Sequence, residues 1–422
     1  MKLDNIDYLQ LTLPGDKSIA HRALILASFI KGVHKINNLP KNEDVLITLD
    51  ILSRYGLEYK FSNNSTMINS NNMLFKDATI ACNDSGTTAR LLIGYLAGLN
   101  VNATIKGSLS LSKRPMRRIV NPLKDFGVNI KSKNFKLPIK LNKSNNLKPF
   151  NFRLEIPSAQ VKSALILYAM CINGKSILSG KIQTRDHLEL LLADLDYPIS
   201  IDSDKIQIIG NANISKQIDI KIPGDISSAS FIICASLLTQ GSYVRIRNVC
   251  INKYRIGFLN SAVKMGAKIN ILNNRLVYGE AVGDIDIHYS KDLKGIEIDS
   301  IEIINMIDEI PILSVLACYA EGNTIINGIE ELKVKESNRV LAIIENIQSM
   351  GGDAELINNS LIIKGKKTLY NTTIRSFNDH RIFMSFYIAN RIIGENIDYD
   401  ISDTSYNKSF PNFKSVIERV LR

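Results

Sequence analysis

The sequence predicts an α/β protein of two domains, each built from three copies of one unit. Three observations carry that expectation. A polar turn, an apolar helical run, a glycine and a β-rich stretch recur six times, and the closing glycines fall at 32, 98, 174, 241, 322 and 394, spaced by 66 to 81 residues. The stretch Leu13-Pro14-Gly15-Asp16-Lys17-Ser18 is echoed about halfway along by Ile222-Pro223-Gly224-Asp225-Ile226-Ser227, which divides the chain into halves. Helical patterns alternate throughout with short β-rich runs, the arrangement of α/β layers.

In the first copy, Pro14 and Gly15 stop an extended segment, Asp16 and Ser18 offer capping oxygens, and the apolar run Ala23 to Ile30 has helical spacing. Lys17 stands at the helix start, where unpaired N–H groups and the helix dipole favour an anion, and Ser18 and Arg22, four apart, share a face. The remaining copies open at Asp84-Ser85-Gly86-Thr87-Thr88, Pro157-Ser158-Ala159-Gln160, Pro223 to Ser228, Asp308-Glu309-Ile310-Pro311 and Asn378-Asp379-His380-Arg381. Further strand and helix pieces fill the intervals, as at Glu43 to Gly56 and Ile256 to Ala267. Runs at Asn64, Asn71-Asn72, Asn145-Asn146, Asn273-Asn274 and Asn358-Asn359 read as hairpin turns between strands. With no low-complexity linker, the domain boundary is best placed at the two Pro-Gly turns. Residues 15–223 then form one domain and residues 1–14 with 224–422 the other, and the two crossings suit a hinge.

A length of 422 residues suits two domains, and 45% apolar composition with mean hydropathy near zero is ordinary for a globular protein. No run has the length and apolarity of a membrane span or signal peptide, so a cytoplasmic protein is expected. The five cysteines, odd in number, far apart and without metal-type spacing, read as packing residues, so no metal site is expected. The net charge of +11 allows nucleic acid, acidic lipid or small anions as partners. The lysines are scattered rather than clustered with aromatics, which argues against a platform for single strands.

If the six units are equivalent, their helix N-termini can converge on one cleft between the halves. The sequence adds Lys17, Arg22, Arg90, Arg114, Arg185, Lys335, Arg339, Arg381 and Lys408 around them, a concentration suited to multiply charged ligands. Each cation alone reads as a solvated surface charge. Their shared place in the repeat is what distinguishes them.

The stretches Leu13 to Leu24, Asp84 to Arg90, Ser108 to Met116 with its Arg-Pro-Met, Ser158-Ala159-Gln160-Val161-Lys162-Ser163-Ala164, Thr184-Arg185-Asp186-His187, Pro223 to Ala229, Asp308 to Pro311, Val334-Lys335-Glu336-Ser337-Asn338-Arg339, Asp379-His380-Arg381 and Lys408 to Pro411 together resemble the EPSP synthase family of enolpyruvyl transferases. The resemblance covers essentially the whole chain in order. It implies two inside-out α/β barrels of three βαβαββ units each, and transfer of the enolpyruvyl group of phosphoenolpyruvate to the 5-hydroxyl of shikimate 3-phosphate through a tetrahedral intermediate. It implies no metal and no organic cofactor. Glu336 would move the proton on the methylene carbon, Asp308 would accept the hydroxyl proton, and Lys17 would bridge both substrates. Shikimate 3-phosphate would take Lys17, Ser18, Arg22, Ser158, Ala159, Gln160, Thr184, Arg185, Asp308 and Lys335. Phosphoenolpyruvate would take Lys17, Gly86, Arg114, Gln160, Arg339, Arg381 and Lys408. Gly86 has a reason of its own, since without a Cβ the backbone can approach a ligand at a helix N-terminus. A glycine there also implies inhibition by glyphosate, which occupies the phosphoenolpyruvate site in this family.

Asp84 stands where the family usually has Asn, and the expectation is that it points away from substrate or pairs with Arg90. Thr184 keeps the hydroxyl of a common Ser, and Asn338 removes a charge partner beside Arg339. His21 and His187 fit flanking roles better than substrate contact. One alternative is the sister reaction with a UDP-aminosugar acceptor, but those enzymes usually carry a reactive cysteine in the loop where this chain has Ser108 to Arg114, and no cysteine lies between Cys82 and Cys171. A basic RNA-binding protein of related fold is the other. The partners expected are small anionic substrates, with neither nucleic acid nor membrane, and the chain is expected to be a monomer.

Overall fold

The computed structural model describes residues 8–365, 368–394 and 403–422. The chain divides into two compact units: Lys17–Ile222 with Tyr278–Glu280 form the first-half unit, and the described residues up to Asp16, Pro223–Val277 and those from Ala281 onward form the second-half unit. The chain therefore passes from one to the other after Asp16 and after Ile222, and the hairpin tip Tyr278–Glu280 groups with the first-half unit.

One sheet pattern recurs five times among the described residues. In the first-half unit, Asp219–Lys221 lies parallel to Val33–Asn37, Ala78–Ala81 to Ala103–Lys106, and Asn151–Leu154 to Gly174–Gly180. The second member of each pair then takes an antiparallel neighbour, Ser65–Asn69, Ile139–Asn142 and Lys205–Gly210 respectively, and a fourth strand closes each sheet. The second-half unit repeats this with Leu9–Thr12 beside Tyr243–Cys250 and Glu297–Ile298 beside Asn323–Asn327. The strands expected after Gly394 for a sixth copy fall partly on 395–402, outside the described residues.

In each sheet the helix that the apolar runs predict comes directly before the second strand of the parallel pair, and those helices are the core. In Lys17–Phe29 every residue from Ile19 to Ser28 is buried, and in His380–Ile393 every residue from His380 to Asn390. A helix apolar on all sides belongs inside, whereas the strands alternate, as in Val33–Asn37, where His34 and Ile36 are buried and Val33 and Lys35 exposed. Helices inside and half-solvated sheets outside make each unit an inside-out α/β domain. Two central helices of the first-half unit, Gly86–Gly98 and Ala159–Met170, approach with backbones almost touching: a Cβ on Gly94 would lie 2.1 Å from the Ala164 carbonyl oxygen, and one on Gly98 would lie 2.8 Å from that of Tyr168. Gly98, read from sequence as a closing residue, is therefore also a packing residue.

The asparagine turns divide. Asn64 and Asn358-Asn359 do turn hairpins, the latter with both φ angles positive. Asn71-Asn72 and Asn145-Asn146 connect different sheets instead, and Asn273-Asn274 lie inside the strand Lys268–Val277, whose hairpin turns at Tyr278-Gly279. A left-handed Asn273, φ 54°, is a local irregularity of that strand, and its side chain donates to Asp284.

Candidate active site

The first-half unit gathers Lys17, Ser18, Arg22, Gly86, Arg114, Ser158, Ala159, Gln160, Thr184 and Arg185 at or near the starts of its central helices. Lys17 opens its helix, and its ammonium lies 2.8 Å from the Asp44 carboxylate in the first turn of Glu43–Ser53. Arg22, one turn on and 2% exposed, donates Nε and Nη2 to Ser163 Oγ at 3.1 and 2.8 Å and Nη1 to the Ser18 carbonyl at 2.8 Å. Ser163 belongs to Ala159–Met170, so one helix carries both Gln160 and the acceptor that aims Arg22.

Gly86 is the first residue of its helix, capped by Ser85. A Cβ there would lie 2.8 Å from Arg90 Nη1 and 3.0 Å from Arg114 Nη1, so the missing side chain leaves the helix start facing two guanidiniums. Arg90 donates to Gln160 Oε1 at 3.0 Å, and Gln160 donates in turn to Thr87 Oγ1 at 2.9 Å. This cross-link ties the starts of the two closely packed helices. Ser158 spends its hydroxyl as the N-cap of the second, accepting from Val161 N. Thr184, buried, and Arg185, half-buried, lie in the turn before His187–Asp194.

Asp84 accepts from the Ser108 hydroxyl, a partner the sequence reading did not include. His21 and His187 are fully buried. His21 Nδ1 lies 2.7 Å from Thr48 Oγ1 and His187 Nδ1 2.5 Å from Glu280 Oε1, which places both in internal networks.

The second-half unit carries Asp308, Lys335, Glu336, Arg339, Arg381 and Lys408, and its centre is Arg339. This side chain is 1% exposed and donates to three carboxylates: Nε to Asp379 at 2.8 Å, Nη2 to Glu336 at 2.7 Å and Nη1 to Asp308 at 3.2 Å. Burial pulls the guanidinium pKa down, the charges of Asp379, Glu336 and Asp308 push it up, and the balance is upward. Lys335 donates to the same Asp308 oxygen at 3.4 Å. Asn338, which removes one expected charge partner, serves as N-cap of Arg339–Ser349, and the three carboxylates offset the loss.

Arg381, one residue into its helix, donates to the Asp308 carbonyl at 2.8 Å and Ser227 Oγ at 2.7 Å, with Glu309 at 3.4 Å. Ser227 also donates to Glu309, so a buried serine and glutamate steer this arginine. Lys408 ends the short 3-10 turn Ser405–Lys408 and is half-buried. Asp44, Ser163, Glu309 and the role of Asp379 escaped sequence reasoning. Each lies within or beside a motif, but its contact is with a residue far along the chain. The one local signal is Glu336, three residues before Arg339 on a helix start.

The arrangement can hold anions through backbone N–H groups and guanidiniums in each unit, and it presents two carboxylates, Asp308 and Glu336, on one buried arginine. A family model described as EPSP synthase (3-phosphoshikimate 1-carboxyvinyltransferase) matches residues 8–417. A 3-phosphoshikimate 1-carboxyvinyltransferase of Clostridium tetani is 41% identical over 379 residues, covering 89% of this chain and 86% of that protein. One from Oceanobacillus iheyensis is 37% identical over 418 residues, covering 98% and 96%. Among solved structures, EPSP synthase from Acinetobacter baumannii superposes with a TM-score of 0.85 at 32% identity, over 97% of this chain and 95% of that one. The enolpyruvyl transferase NikO of Streptomyces tendae, at 15% identity and a TM-score of 0.77, shares the fold. The chain belongs to the EPSP synthase family.

Proposed function

We infer that this protein transfers the enolpyruvyl group of phosphoenolpyruvate to the 5-hydroxyl of shikimate 3-phosphate, forming 5-enolpyruvylshikimate 3-phosphate and phosphate on the route to chorismate and the aromatic amino acids. Family membership over nearly the whole chain supports the reaction. The single observation that best fits its chemistry is the buried Arg339, which bonds both Glu336 and Asp308.

The reaction needs an acid at the methylene carbon, a base at the hydroxyl, and cations for one carboxylate and two phosphates. In our reading Glu336 protonates the methylene carbon and Asp308 accepts the proton of the attacking hydroxyl. The C–O bond forms at the central carbon and gives a tetrahedral intermediate. Removal of a proton from the new methyl group, with departure of phosphate, restores the double bond. Arg339 fixes both carboxylates, so loss of either contact perturbs the other. Lys17, Ser18, Arg22, Ser158, Ala159, Gln160, Thr184, Arg185 and Lys335 would serve the shikimate 3-phosphate. Lys17, Gly86, Gln160, Arg114, Arg339, Arg381 and Lys408 would serve the phosphoenolpyruvate.

The acceptor is what separates this reading from its sister reaction. Phosphate release from phosphoenolpyruvate is expected with shikimate 3-phosphate and not with a UDP-aminosugar. Release with the UDP-aminosugar alone would overturn the assignment.

A further inference from the structure

We propose that Lys162, buried one helical turn beyond Ser158, is a positioning residue for the shikimate 3-phosphate site. It acts by holding the Ile182–Thr184 turn through two backbone carbonyls.

The ammonium of Lys162 donates to the Ile182 carbonyl at 2.9 Å and to the Thr184 carbonyl at 2.8 Å, and lies 2.6 Å from the Glu189 carboxylate. Two of the ammonium's three N–H donors go to the carbonyls, and the Glu189 carboxylate balances its charge as an ion pair. Lys162 is 1% exposed and Glu189 fully buried, so both charges have been taken out of water. Such a pair is poor at stabilising a fold, because well-packed apolar residues of the same volume do as well or better. What apolar residues cannot do is grip the carbonyls of an irregular turn.

The turn needs gripping. It runs from the end of Gly174–Gly180 to the start of His187–Asp194. Lys181 N reaches back to Leu154 O at its first residue and Gln183 Nε2 to Ser203 O on its exposed side, while the bonds of Ile182 N to Gly180 O and Thr184 N to Ile182 O stay within it, so Lys162 supplies the buried anchor at the Ile182 and Thr184 carbonyls. Thr184 and Arg185 sit on it, whereas Ser158, Ala159 and Gln160 sit at the start of Ala159–Met170, the helix that carries Lys162. Lys162 therefore fixes two groups of residues relative to one another, just as Ser163, the next residue, fixes Arg22.

This inference rests on the assignment of that helix start and turn to shikimate 3-phosphate, and the experiment separates the two. The double variant Lys162→Met/Glu189→Leu removes both charges together and leaves no unpaired ion. It is expected to fold, to raise the KM for shikimate 3-phosphate about tenfold through loss of the two charge-assisted bonds, and to leave kcat and the KM for phosphoenolpyruvate within about twofold. A purely structural pair would change the melting temperature without that split, and an unchanged KM for shikimate 3-phosphate in the folded variant would overturn the proposal. Should the double variant not fold, Lys162→Arg keeps a cation beside Glu189 but replaces the compact ammonium with a longer planar fork that cannot reproduce both carbonyl bonds. It is expected to raise the KM for shikimate 3-phosphate several-fold with kcat within about twofold, and an unchanged KM in that folded variant would equally overturn the role of the carbonyls. A parent enzyme that fails to turn over shikimate 3-phosphate at all would overturn the functional reading and this inference with it.

Discussion

Asp379→Asn probes how the two candidate proton-transfer carboxylates are held. Asp379 is fully buried: Oδ1 caps the helix by accepting from Arg381 N at 3.0 Å and also accepts from Arg339 Nη2 at 3.4 Å, and Oδ2 accepts from Arg339 Nε at 2.8 Å and Ser337 Oγ at 3.2 Å. An asparagine keeps the cap through its single carbonyl oxygen and turns its NH2 toward the Arg339 Nε–H, donor against donor. A hydrogen bond to a charged group contributes about 1.5–3 kcal/mol. Removing the sole partner of a buried charge would cost about 3–5 kcal/mol, but Asp308 and Glu336 still neutralise Arg339. The expected loss is therefore about 2–3 kcal/mol, or a melting temperature about 5–10 °C lower for a unit of this size. Arg339 then tilts toward its two remaining carboxylates, and the KM for phosphoenolpyruvate rises about tenfold. Differential scanning calorimetry with steady-state kinetics reads both. A melting temperature within about 2 °C of the parent and an unchanged KM would refute the idea that Asp379 orients Arg339.

Three further outcomes follow from other contacts. In Gly86→Ala the new methyl meets the ends of Arg90 and Arg114 at 2.8 and 3.0 Å, and both side chains can shift. Stability should hold within about 1 kcal/mol while the KM for phosphoenolpyruvate and the glyphosate concentration for half-inhibition both rise, as measured by phosphate release. In Gly94→Ala the methyl meets the Ala164 backbone oxygen at 2.1 Å and cannot be relieved by a rotamer, so calorimetry should show a loss of about 2–3 kcal/mol from the separated helices. Glu418 accepts from Arg391 and Tyr387, and the Arg391 bonds hold its carboxyl below the usual 4.5. A lowered carboxyl pKa stabilises the fold fully above the unfolded value, and the benefit is lost as pH falls through the folded value. Glu418→Gln should therefore melt below the parent at pH 7, by about 1 kcal/mol after allowance for partial exposure, and the difference should vanish when both are melted well below pH 4.

The architecture was legible because it repeats. Six closing glycines and six polar helix starts expose a period that needs no tertiary information, and in the described residues five sheets share one strand order. What the sequence could not show is pairing across long separations. Asp219–Lys221 joins Val33–Asn37, over 180 residues away, and nothing local announces it. The asparagine runs misled for a related reason: an asparagine accepts a left-handed backbone in a hairpin, a connection or a strand irregularity alike, so Asn358-Asn359 and Asn273-Asn274 look the same. In the site, the helix starts at Lys17, Gly86, Ser158 and Arg381 were visible as capping patterns. The Arg339 hub was visible only through Glu336, since Asp308 and Asp379 stand 31 and 40 residues from it.

The proton on the methylene carbon tests the account most directly. With the reaction run in D2O from phosphoenolpyruvate and shikimate 3-phosphate, protonation by Glu336 makes a freely rotating CH2D group. Elimination must then leave deuterium in the vinyl methylene of part of the product, detectable by mass spectrometry or NMR. Glu336→Gln should abolish both product and label. Product that forms freely in D2O without deuterium in its methylene would contradict the tetrahedral route and the role of Glu336 in it.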